Sequence, residues 1–591
     1  MGIKHPFKTA VIEFNPQLNQ LDNNMDNLLE AVTEAAKNGA KLIVTPEMAT
    51  TGYHYENRQS ILPFTDTIPG KTTKRFEEVA KLYDTHIVIG MAEVDVEDGL
   101  CYNSAALVGP TGYIGKYRKV HQWATEDNWA HWGDLGIPVY ETSIGRIAII
   151  ICMDSSYFES ARIVAVKGAD ILCFPTNSTG GSLSMLQAWA EMNGLYVIGA
   201  NRSNTETNYH MVGASAVWSP LGRKLAETPY VEESQARDET VILYADIDPA
   251  LFENPAKKRM EKRKPDLYSD LMLHVGPWEY KKSLNKLEQI STENYEKKIS
   301  TALLQYEPVI GDKKENLKKI KRLLADAAVK AKEQKSELSL VICPELSLTG
   351  PVNSLSPEEI RKLSEPIHGV TVRDMRRLSA EYQINIIFGM IEREENHLYN
   401  TVVLLTPEDD IVTKARKIHL SESDERWASG GWEIVVANVT DIGRVGLIVG
   451  SDATFPEVAG IIAVKRADVI IIPSCWHGEF GEILALPEKI MENKFPFNSM
   501  TTWDATARFS QTKTLIANFI GTDIGFKGGS ALYTPDPIYG SDMPVVASSQ
   551  NEEVLIVVNS KMEQNRWFDQ HKLLLSRRTI FYRPLVKKIK M

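Results

Sequence analysis

The chain contains 591 residues, 43% of them apolar, which is enough to bury large cores and by length alone would correspond to about four domains. Lys and Arg total 66 against 77 for Asp and Glu, a net charge of -11 without any basic tract, which argues against nucleic acid as a partner. The N-terminus lacks the features of a secretory signal, and no apolar run approaches the length of a bilayer, so we expect a cytoplasmic protein without a membrane partner.

The predicted elements of the N-terminal half alternate between strands and helices. The strand KTAVIEF precedes LDNNMDNLLEAVTEAAKNG, an apolar-periodic helix that Gly39 closes at a C-cap position. Three runs rich in Val and Ile follow, each ended by Pro or Gly as strands are: KLIVTPE, HIVIGMAEV and CYNSAALVGPTG. GRIAIIIC reads as a strand buried on both faces, and the helix ESARIVAVKGA and the strand DILCFP come after it. This alternation predicts an α/β layered domain whose functional residues lie where strands end.

The C-terminal half repeats the same pattern. PEMATTG contains Glu47 where PELSLTG contains Glu345, and KYRKVH contains Lys119 where KARKIH contains Lys417. Both pairs are 298 residues apart (345 minus 47, and 417 minus 119). Repetition over this length indicates two copies of one structural unit.

The repeat predicts two domains, at residues 1–282 and 299–591, joined by a polar, Lys-rich linker at 283–298. One difference between the copies concerns chemistry. The segment ICMDSSYFES contains Cys152, whereas the matching segment VGSDATFPEV contains Gly450 at the same place.

The cysteine pattern indicates no metal site. No two cysteines form a CxxC pair, and none has metal-ligand spacing, so we expect a reduced protein without zinc or another cofactor. The five cysteines are Cys101, Cys152, Cys173, Cys343 and Cys475.

Three residues near predicted strand ends could form a nucleophilic site. The thiol of Cys152 must lose its proton before it attacks a carbonyl or nitrile carbon, and Glu47 is the candidate base. A buried Lys119 would favour the thiolate and then the oxyanion of a tetrahedral intermediate, together with the backbone N–H that follows Cys152.

The motifs PEMATTGY, KYRKVH and GRIAIIICMD resemble the three signatures of the nitrilase superfamily, the carbon-nitrogen hydrolases. QAWAEMNGLYVIGANR and EKRKPDLYSDL resemble further segments of that family, and the resemblance covers essentially the whole chain in two copies. It implies an α-β-β-α sandwich in each copy and a triad in the first, with Cys152 as the nucleophile that forms a thioacyl intermediate, Glu47 as the general base and Lys119 as the oxyanion stabiliser. Because family members dimerise through their sandwiches, we expect the fused copies to form an internal pseudo-dimer, with further homo-oligomerisation open.

Family members also carry a second Glu a few residues beyond the Lys, which positions the substrate, and Glu126 is the nearest match. Position along the chain suggests further pocket residues that would contact a substrate. These substrate-binding candidates are Tyr53, His54, Trp123, Met153 and Asn177.

Plainer interpretations exist for several of these residues. A Cys at the end of an apolar strand is often inert core, and Cys173 is the example in this chain. His121 could suggest a Cys-His pair, but no papain-like context surrounds Cys152. Trp129 and Trp132 could line a pocket or serve packing alone.

The residues after Cys152 favour one branch of the family. Cys152-Met153-Asp154 is closer to the Cys-x-Asp of amidases than to the Cys-Trp-Glu of true nitrilases. N-carbamoyl hydrolases tend to carry an Arg near this segment, whereas here Arg162 lies in the following helix. We therefore expect hydrolysis of a small linear amide to a carboxylate and ammonia or an amine. Nitrilase, N-carbamoyl hydrolase, amide acyltransferase and non-catalytic scaffold functions remain alternatives.

The second copy is predicted to be inactive. Gly450 carries no nucleophile, and Ser451 would have to attack from the place that Met153 occupies in the first copy. Its expected role is structural support of the active copy, and ligand binding without hydrolysis is the alternative.

Overall fold

The structure is a computed structural model. The residues it describes are 4–123, 125–181, 183–273, 299–408, 411–476, 483–496, 498–521, 525–536, 540–541, 544–547, 551–559 and 569–588. The predicted linker at 283–298 lies outside these residues.

The chain forms two compact units, and each includes segments of both copies. The first unit comprises residues up to Glu261, Ala485–Ile490 and the C-terminal segment from Ser576, and the second comprises Lys262–Leu484 and Met491–Leu575. The C-terminal segment of each copy therefore belongs to the unit built on the other copy. The boundaries 1–282 and 299–591 and the internal pseudo-dimer stay predictions.

Two six-stranded sheets form the first unit, and in each of them three central strands run parallel. The first sheet contains, in spatial order, Val241–Ile247, Phe7–Glu13, Leu42–Val44, His86–Val94, Cys101–Gly109 and Gly112–Arg118. The second contains Lys224–Glu227, Ala216–Trp218, Tyr196–Ala200, Ile171–Pro175, Gly145–Ile149 and Val139–Thr142. A separate hairpin pairs Thr205–Glu206 with Tyr209–His210.

Helices of this unit bury one apolar face against the sheets. In Leu21–Lys37, Met25, Leu28 and Val32 recur at the helical period and pack into the core of the first sheet. Gly39, with φ +86°, follows this helix as predicted, because a left-handed residue after a helix end suits glycine. The α-helices are Leu21–Lys37, Arg58–Ile61, Lys71–Tyr83, Phe158–Val166, Leu186–Asn193 and Pro255–Met260.

The second unit repeats this architecture. One sheet contains Thr413–Arg416, His397–Leu405, Asn385–Glu394, Leu338–Ile342, Ile299–Gln305 and Glu553–Asn559. The other contains Val436–Val439, Gly443–Leu447, Val469–Pro473, Lys513–Ala517, Ala531–Tyr533 and Val545–Val546. Short hairpins pair Ile520–Gly521 with Phe526–Lys527 and Pro535–Asp536 with Gly540–Ser541. The α-helices of the second copy are Lys313–Glu333, Pro357–Leu363, Val370–Tyr382, Pro456–Val464, Glu488–Lys494, Thr501–Ser510 and Gln570–Ser576.

The predicted α/β sandwich fold is confirmed for both copies. Among the described helices, none combines the length and the apolar character that crossing a membrane requires. Three candidate residues follow strand ends of the first unit: Glu47 follows Leu42–Val44, Lys119 follows Gly112–Arg118, and Cys152 follows Gly145–Ile149.

Candidate active site

Glu47, Lys119 and Glu126 form one closed cluster of buried charges. Lys119 Nζ lies 2.7 Å from Glu47 Oε1 and 2.7 Å from Glu126 Oε2. All three side chains are fully buried. The close pairing is what makes the cluster tolerable, since an unpaired charge in such a place is costly.

Asn103 joins the two carboxylates of this cluster. Its Nδ2 donates to Glu47 Oε1 at 2.7 Å and also to Glu126 Oε1. Glu47 Oε2 accepts the backbone N–H of Asn177 at 2.9 Å, and Glu126 Oε2 accepts that of Trp123 at 2.6 Å. Every carboxylate oxygen of the cluster thus has a donor, which fixes both side chains in orientation.

The protonation of the cluster follows from burial and mutual charge. Burial by itself lowers the pKa of Lys119, but the charges of Glu126 and Glu47 outweigh this effect and raise the pKa, so the ammonium stays charged. Burial raises the pKa of Glu126, while the charge of Lys119 opposes that rise.

Cys152 begins a short 3-10 helix, Cys152–Ser156, in a left-handed backbone conformation with φ +44°. A non-glycine residue in this conformation is strained and persists only where its surroundings hold it. Burial raises the pKa of the Cys152 thiol to about 12, the charge of Glu47 adds to the rise, and Lys119 and a hydrogen bond with Thr176 oppose it. The thiol is therefore protonated at neutral pH, and its attack on a substrate needs a base.

Two glycines allow neighbouring backbone to close on Glu47 and Lys119. A β-carbon at Gly90 would lie 2.1 Å from the carbonyl oxygen of Pro46 and 2.9 Å from the Cα of Glu47. A β-carbon at Gly133 would lie 2.9 Å from the carbonyl oxygen of Lys119, which accepts the Gly133 N–H at 2.8 Å. Both positions therefore require glycine for steric reasons.

The charged side chains of the segment KYRK have different partners, because side chains alternate between the two faces of a strand. Lys116 and Arg118 both pair with Glu93 on one side of the strand. Lys119, by contrast, enters the buried cluster. Successive side chains of a strand point to opposite faces, so the four charged or polar residues of this segment are not interchangeable.

Asp154 braces the turn that carries Cys152. Its Oδ2 accepts the backbone N–H of Ile151 at 2.9 Å and the hydroxyl of Tyr117 at 2.6 Å. Its Oδ1 accepts the backbone N–H of His121 at 2.9 Å and lies 2.8 Å from His121 Nδ1. The imidazole is thus engaged by a carboxylate rather than by the thiol, which argues against a Cys-His pair.

Tyr53 is close enough to the candidate catalytic groups for their charges to change the pKa of its phenol. Burial raises the pKa of its phenol, and the charges of Glu126, Glu47 and Cys152 raise it further. The hydroxyl is therefore protonated and able to donate a hydrogen bond.

The other pocket candidates differ in their hydrogen bonding and in their burial. Both amide atoms of the Asn177 side chain are buried without a hydrogen-bond partner in the part of the chain that the structure describes. Met153 is buried beside Cys152, and Trp123 and His54 are partly buried. Their contact with a substrate stays a prediction.

Several other aromatic, cysteine and arginine residues do not belong to the charge cluster. Trp129 is buried and packs edge-on against Tyr55 with 6.2 Å between ring centroids, so packing explains it. Trp132 is 45% exposed. Cys173 is fully buried in a strand, and Arg162 is buried in the helix Phe158–Val166, as the sequence indicated. In the described residues, no group of three or more His, Cys, Asp and Glu side chains is placed to bind a metal ion.

The second copy has a similar charge cluster, but a carboxylate occupies the position that corresponds to the Cys152 side chain. Lys417 Nζ lies 2.9 Å from Glu345 Oε1 and 2.7 Å from Asp424 Oδ2. Asn400 Nδ2 donates to Glu345 Oε1 at 2.6 Å. Gly450 has φ +48°, close to the backbone conformation of Cys152. A β-carbon at Gly450 would lie 2.0 Å from Glu345 Oε2, so a carboxylate occupies the space where a nucleophilic side chain would begin.

Ser451 is not activated in this arrangement. Its buried Oγ has no hydrogen-bond partner within the described ranges, and so neither Glu345 nor Lys417 contacts it as a base or donor. A serine needs a base within hydrogen-bond reach to act as a nucleophile.

The sequence patterns did not indicate a role for Asn103, Thr176 or Gly90. A signal for Asn103 was present, because YN occurs at 102–103 and again at 399–400, where Asn400 makes the matching contact. No local pattern marked Gly90, whose importance depends on a neighbouring strand.

Comparison with known proteins agrees with this geometry. The family model described as carbon-nitrogen hydrolase matches residues 8–255 and again 300–537. A nitrilase of Pyrococcus abyssi (strain GE5 / Orsay) is 36% identical over 233 residues, which are 38% of this chain and 86% of that protein. A citrullinase of Francisella tularensis subsp. tularensis (strain SCHU S4 / Schu 4) is 30% identical over 292 residues, 45% of this chain and 98% of that protein.

Among solved structures, the carbon-nitrogen hydrolase from Helicobacter pylori G27 has 25% sequence identity and a TM-score of 0.40, covering 45% of this chain and 98% of that one. Since the family model matches most of the chain, in two successive stretches that each contain the Glu and Lys motifs, this protein belongs to the carbon-nitrogen hydrolase family as a tandem member.

Proposed function

We propose that the first copy hydrolyses a small linear amide to a carboxylate and ammonia or an amine, through a thioacyl intermediate on Cys152. The observation that carries the proposal is the closed Glu47–Lys119–Glu126 cluster beside the strained Cys152 turn. It supplies a base, a cation and a nucleophile in one buried place.

In the first step, Cys152 Sγ attacks the carbonyl carbon and its proton passes to the Glu47 carboxylate. The carbonyl oxygen becomes an oxyanion. Lys119 donates two of its three N–H groups to carboxylates and keeps one for this oxyanion. The backbone N–H of Met153 lies in the first turn of the 3-10 helix, where N–H groups lack acceptors within the helix, and is the second donor.

In the second step, the oxyanion collapses and the C–N bond breaks. Glu47 returns its proton to the departing nitrogen, and ammonia or an amine leaves. Water then attacks the thioester carbonyl while Glu47 accepts a proton from it. The C–S bond breaks, the sulfur regains the proton from Glu47, and the carboxylate is released.

The unpaired side chain of Asn177 supports an amide over a nitrile. Its Oδ1 is a buried acceptor and its Nδ2 a buried donor. A primary amide can satisfy both, with its own N–H and C=O, whereas a nitrile offers no donor and leaves Oδ1 unpaired in the complex. An unpaired buried group costs about 1–3 kcal/mol, which disfavours the nitrile.

The role of the second copy in this proposal is not catalytic. Glu345 fills the space beside Gly450, and Ser451 has no activating contact. We infer that this copy serves the first one structurally.

An ammonia-release screen over primary amides, nitriles and N-carbamoyl compounds tests the proposal. We expect release from small amides, with Cys152→Ala lowering the rate by at least about 10⁴-fold because the proposed thioacyl intermediate forms on the Cys152 sulfur. Cys173→Ala removes another buried thiol of the same copy and is the matched control, which should retain activity.

Each other outcome of the screen is informative. Amide hydrolysis that survives Cys152→Ala refutes the proposal. Release from nitriles or carbamoyl compounds alone contradicts the assignment of an amide substrate. If hydroxylamine diverts most of the acyl group to a hydroxamate in the presence of water, acyl transfer is the main reaction.

A further inference from the structure

The segment EKRKPDLYSDL at 261–271 and its counterpart from Ser576 play no part in the proposed chemistry, yet the first is anchored beside the Gly450 turn and the second beside the Cys152 turn. In the first unit, Ser576 Oγ lies 2.6 Å from the hydroxyl of Tyr157. Arg577 Nε donates to Glu159 Oε1 at 3.0 Å, and both side chains are buried. The C-terminal segment of the second copy thus packs on the residues that directly follow the Cys152–Ser156 turn.

A third contact is linked to the Cys152–Ser156 turn through His121. Tyr582 Oη lies 3.3 Å from His121 Nε2, and His121 Nδ1 lies 2.8 Å from Asp154 Oδ1. Asp154 Oδ2 in turn accepts the N–H of Ile151 at 2.9 Å. A continuous chain of hydrogen bonds therefore runs from Tyr582 to the residue that immediately precedes Cys152.

The direction of these hydrogen bonds follows from the donors and acceptors available. An ionised carboxylate only accepts, so the hydrogen of a neutral His121 is on Nδ1 and points to Asp154. Nε2 is then an acceptor, and the Tyr582 hydroxyl donates to it. Burial raises the pKa of Tyr582, and the nearby Glu159 raises it further, so this hydroxyl keeps its proton.

The His121 ring has little freedom to adopt another arrangement. It stacks on Tyr157 with 3.7 Å between ring centroids and an interplanar angle of 10°. Tyr157 is in turn bonded to Ser576 of the same C-terminal segment. Without the Tyr582 hydroxyl, however, Nε2 would lack its donor, and the imidazole could shift or change tautomer.

We propose that Tyr582, contributed by the second copy, is a positioning residue for Cys152, acting through His121 and Asp154. Cys152 occupies a left-handed conformation, φ +44°, that must be imposed by its neighbours. Asp154 imposes it by bonding Ile151 on the other side of the turn, and Tyr582 keeps His121 aligned on Asp154. This inference rests on the proposed role of Cys152 as the nucleophile.

The second unit contains the corresponding Tyr–His–Asp contacts near Gly450, although Asp452 Oδ2 there accepts the backbone N–H of Ile418 at 2.9 Å. Tyr268 Oη lies 2.7 Å from His419 Nε2, and His419 Nδ1 lies 2.7 Å from Asp452 Oδ1. Arg263 Nε donates to Glu457 Oε1 at 2.6 Å, as Arg577 does to Glu159. The chemical change Tyr268→Phe is therefore identical to Tyr582→Phe but is made beside a turn that has no thiol.

The test compares full-length Tyr582→Phe with full-length Tyr268→Phe. We expect Tyr582→Phe to lower kcat by about 10- to 100-fold with KM within about twofold, because a misplaced nucleophile affects the reaction more than binding. We also expect it to slow the alkylation of Cys152 by iodoacetamide at pH 9, followed at that residue by mass spectrometry. Tyr268→Phe should leave kcat, KM and Cys152 alkylation at their wild-type values.

Equal kcat and equal Cys152 alkylation in the two variants would overturn the positioning role. So would a loss in Tyr582→Phe that appears only in Tm and in the amount of folded protein, because that outcome indicates a structural role alone. The alkylation readout does not depend on amide hydrolysis. If Cys152→Ala retains hydrolysis, the proposed function fails, whereas the alkylation result still decides whether Tyr582 positions the thiol.

Discussion

Gly450 and the carboxylate of Glu345 share one space: a β-carbon at Gly450 would lie 2.0 Å from Glu345 Oε2. In the first copy, the residue with the same left-handed backbone is Cys152, and there the matching Glu47 directs Oε2 to the backbone N–H of Asn177. The second site therefore has no nucleophile at this position, and the Glu345 carboxylate occupies the space that a nucleophilic side chain would need.

We predict that Gly450→Cys does not create a second active site. The new side chain must displace Glu345, and Glu345 is bonded to Lys417 and Asn400, so we expect a destabilisation of about 1–3 kcal/mol from overpacking. The measurement is ammonia release by Cys152→Ala combined with Gly450→Cys, alongside thermal unfolding of Gly450→Cys alone. Hydrolysis at a rate comparable to the wild type in the double variant would contradict the interpretation of the second copy.

We predict that Cys152 of the free protein reacts slowly with iodoacetamide at neutral pH. Its pKa is raised to about 12, so the thiolate fraction at pH 8 is about one part in ten thousand, and alkylation should rise about tenfold per pH unit up to at least pH 9. Free cysteine, with a pKa of about 8.5, should level off near pH 9 and is the control. A plateau for Cys152 below pH 8 would instead reveal a preformed thiolate paired with Lys119.

We predict that Gly90→Ala lowers activity and stability together, whereas Gly389→Ala lowers stability alone. A β-carbon at Gly90 would lie 2.1 Å from Pro46 O, and one at Gly389 would lie 2.3 Å from Leu346 N. Both variants should lose about 1–3 kcal/mol of stability. Only Gly90→Ala moves the backbone of Glu47, so only it should reduce kcat, by about 100-fold. Steady-state kinetics and thermal unfolding of both variants check this, and equal kcat values would show that the placement of Glu47 tolerates the shift.

We predict that Asn177→Leu weakens catalysis without weakening the fold. Its amide atoms make no hydrogen bond with the described residues, so the folded protein loses no bond and no longer buries an unpaired polar group. We expect kcat/KM for a primary amide to fall by about 10- to 100-fold while Tm stays equal or rises. Asn103→Leu is the contrasting variant, because it leaves Glu126 Oε1 without its donor and Glu47 Oε1 with Lys119 alone, and it should lower Tm. An equal loss of Tm in the two variants would show that the Asn177 side chain stabilises the fold, and would argue against a role in substrate binding.

Local patterns predicted most of the regular structure. HIVIGMAEV coincides with the strand His86–Val94, and LDNNMDNLLEAVTEAAKNG contains the helix Leu21–Lys37 with Gly39 beyond its end. Burial of one face sets the period of apolar residues in such elements, so the period is visible in the sequence. The structure also places Glu47, Lys119 and Glu126 in contact, although their chemical roles stay a proposal.

Contacts made by residues far apart in the chain were not visible in this way. Gly90 is not distinguished from other glycines of apolar strands until the segment that carries Pro46 and Glu47, just after the strand Leu42–Val44, lies against it. Asn103 belongs to a YN pair that recurs at 399–400, and its bridge between two carboxylates forms only when its strand meets the segments that carry Glu47 and Glu126.

The sequence by itself determined the two-copy organisation and the presence of Glu, Lys and Cys motifs in the first copy, because repetition and residue identity are properties of the chain. Only the tertiary structure decided that Glu345 closes over Gly450 and that Tyr582 contacts His121, 461 residues away. The physical reason is that these relationships depend on side-chain direction and on where strands and terminal segments pack, and neither is set by the local residues alone.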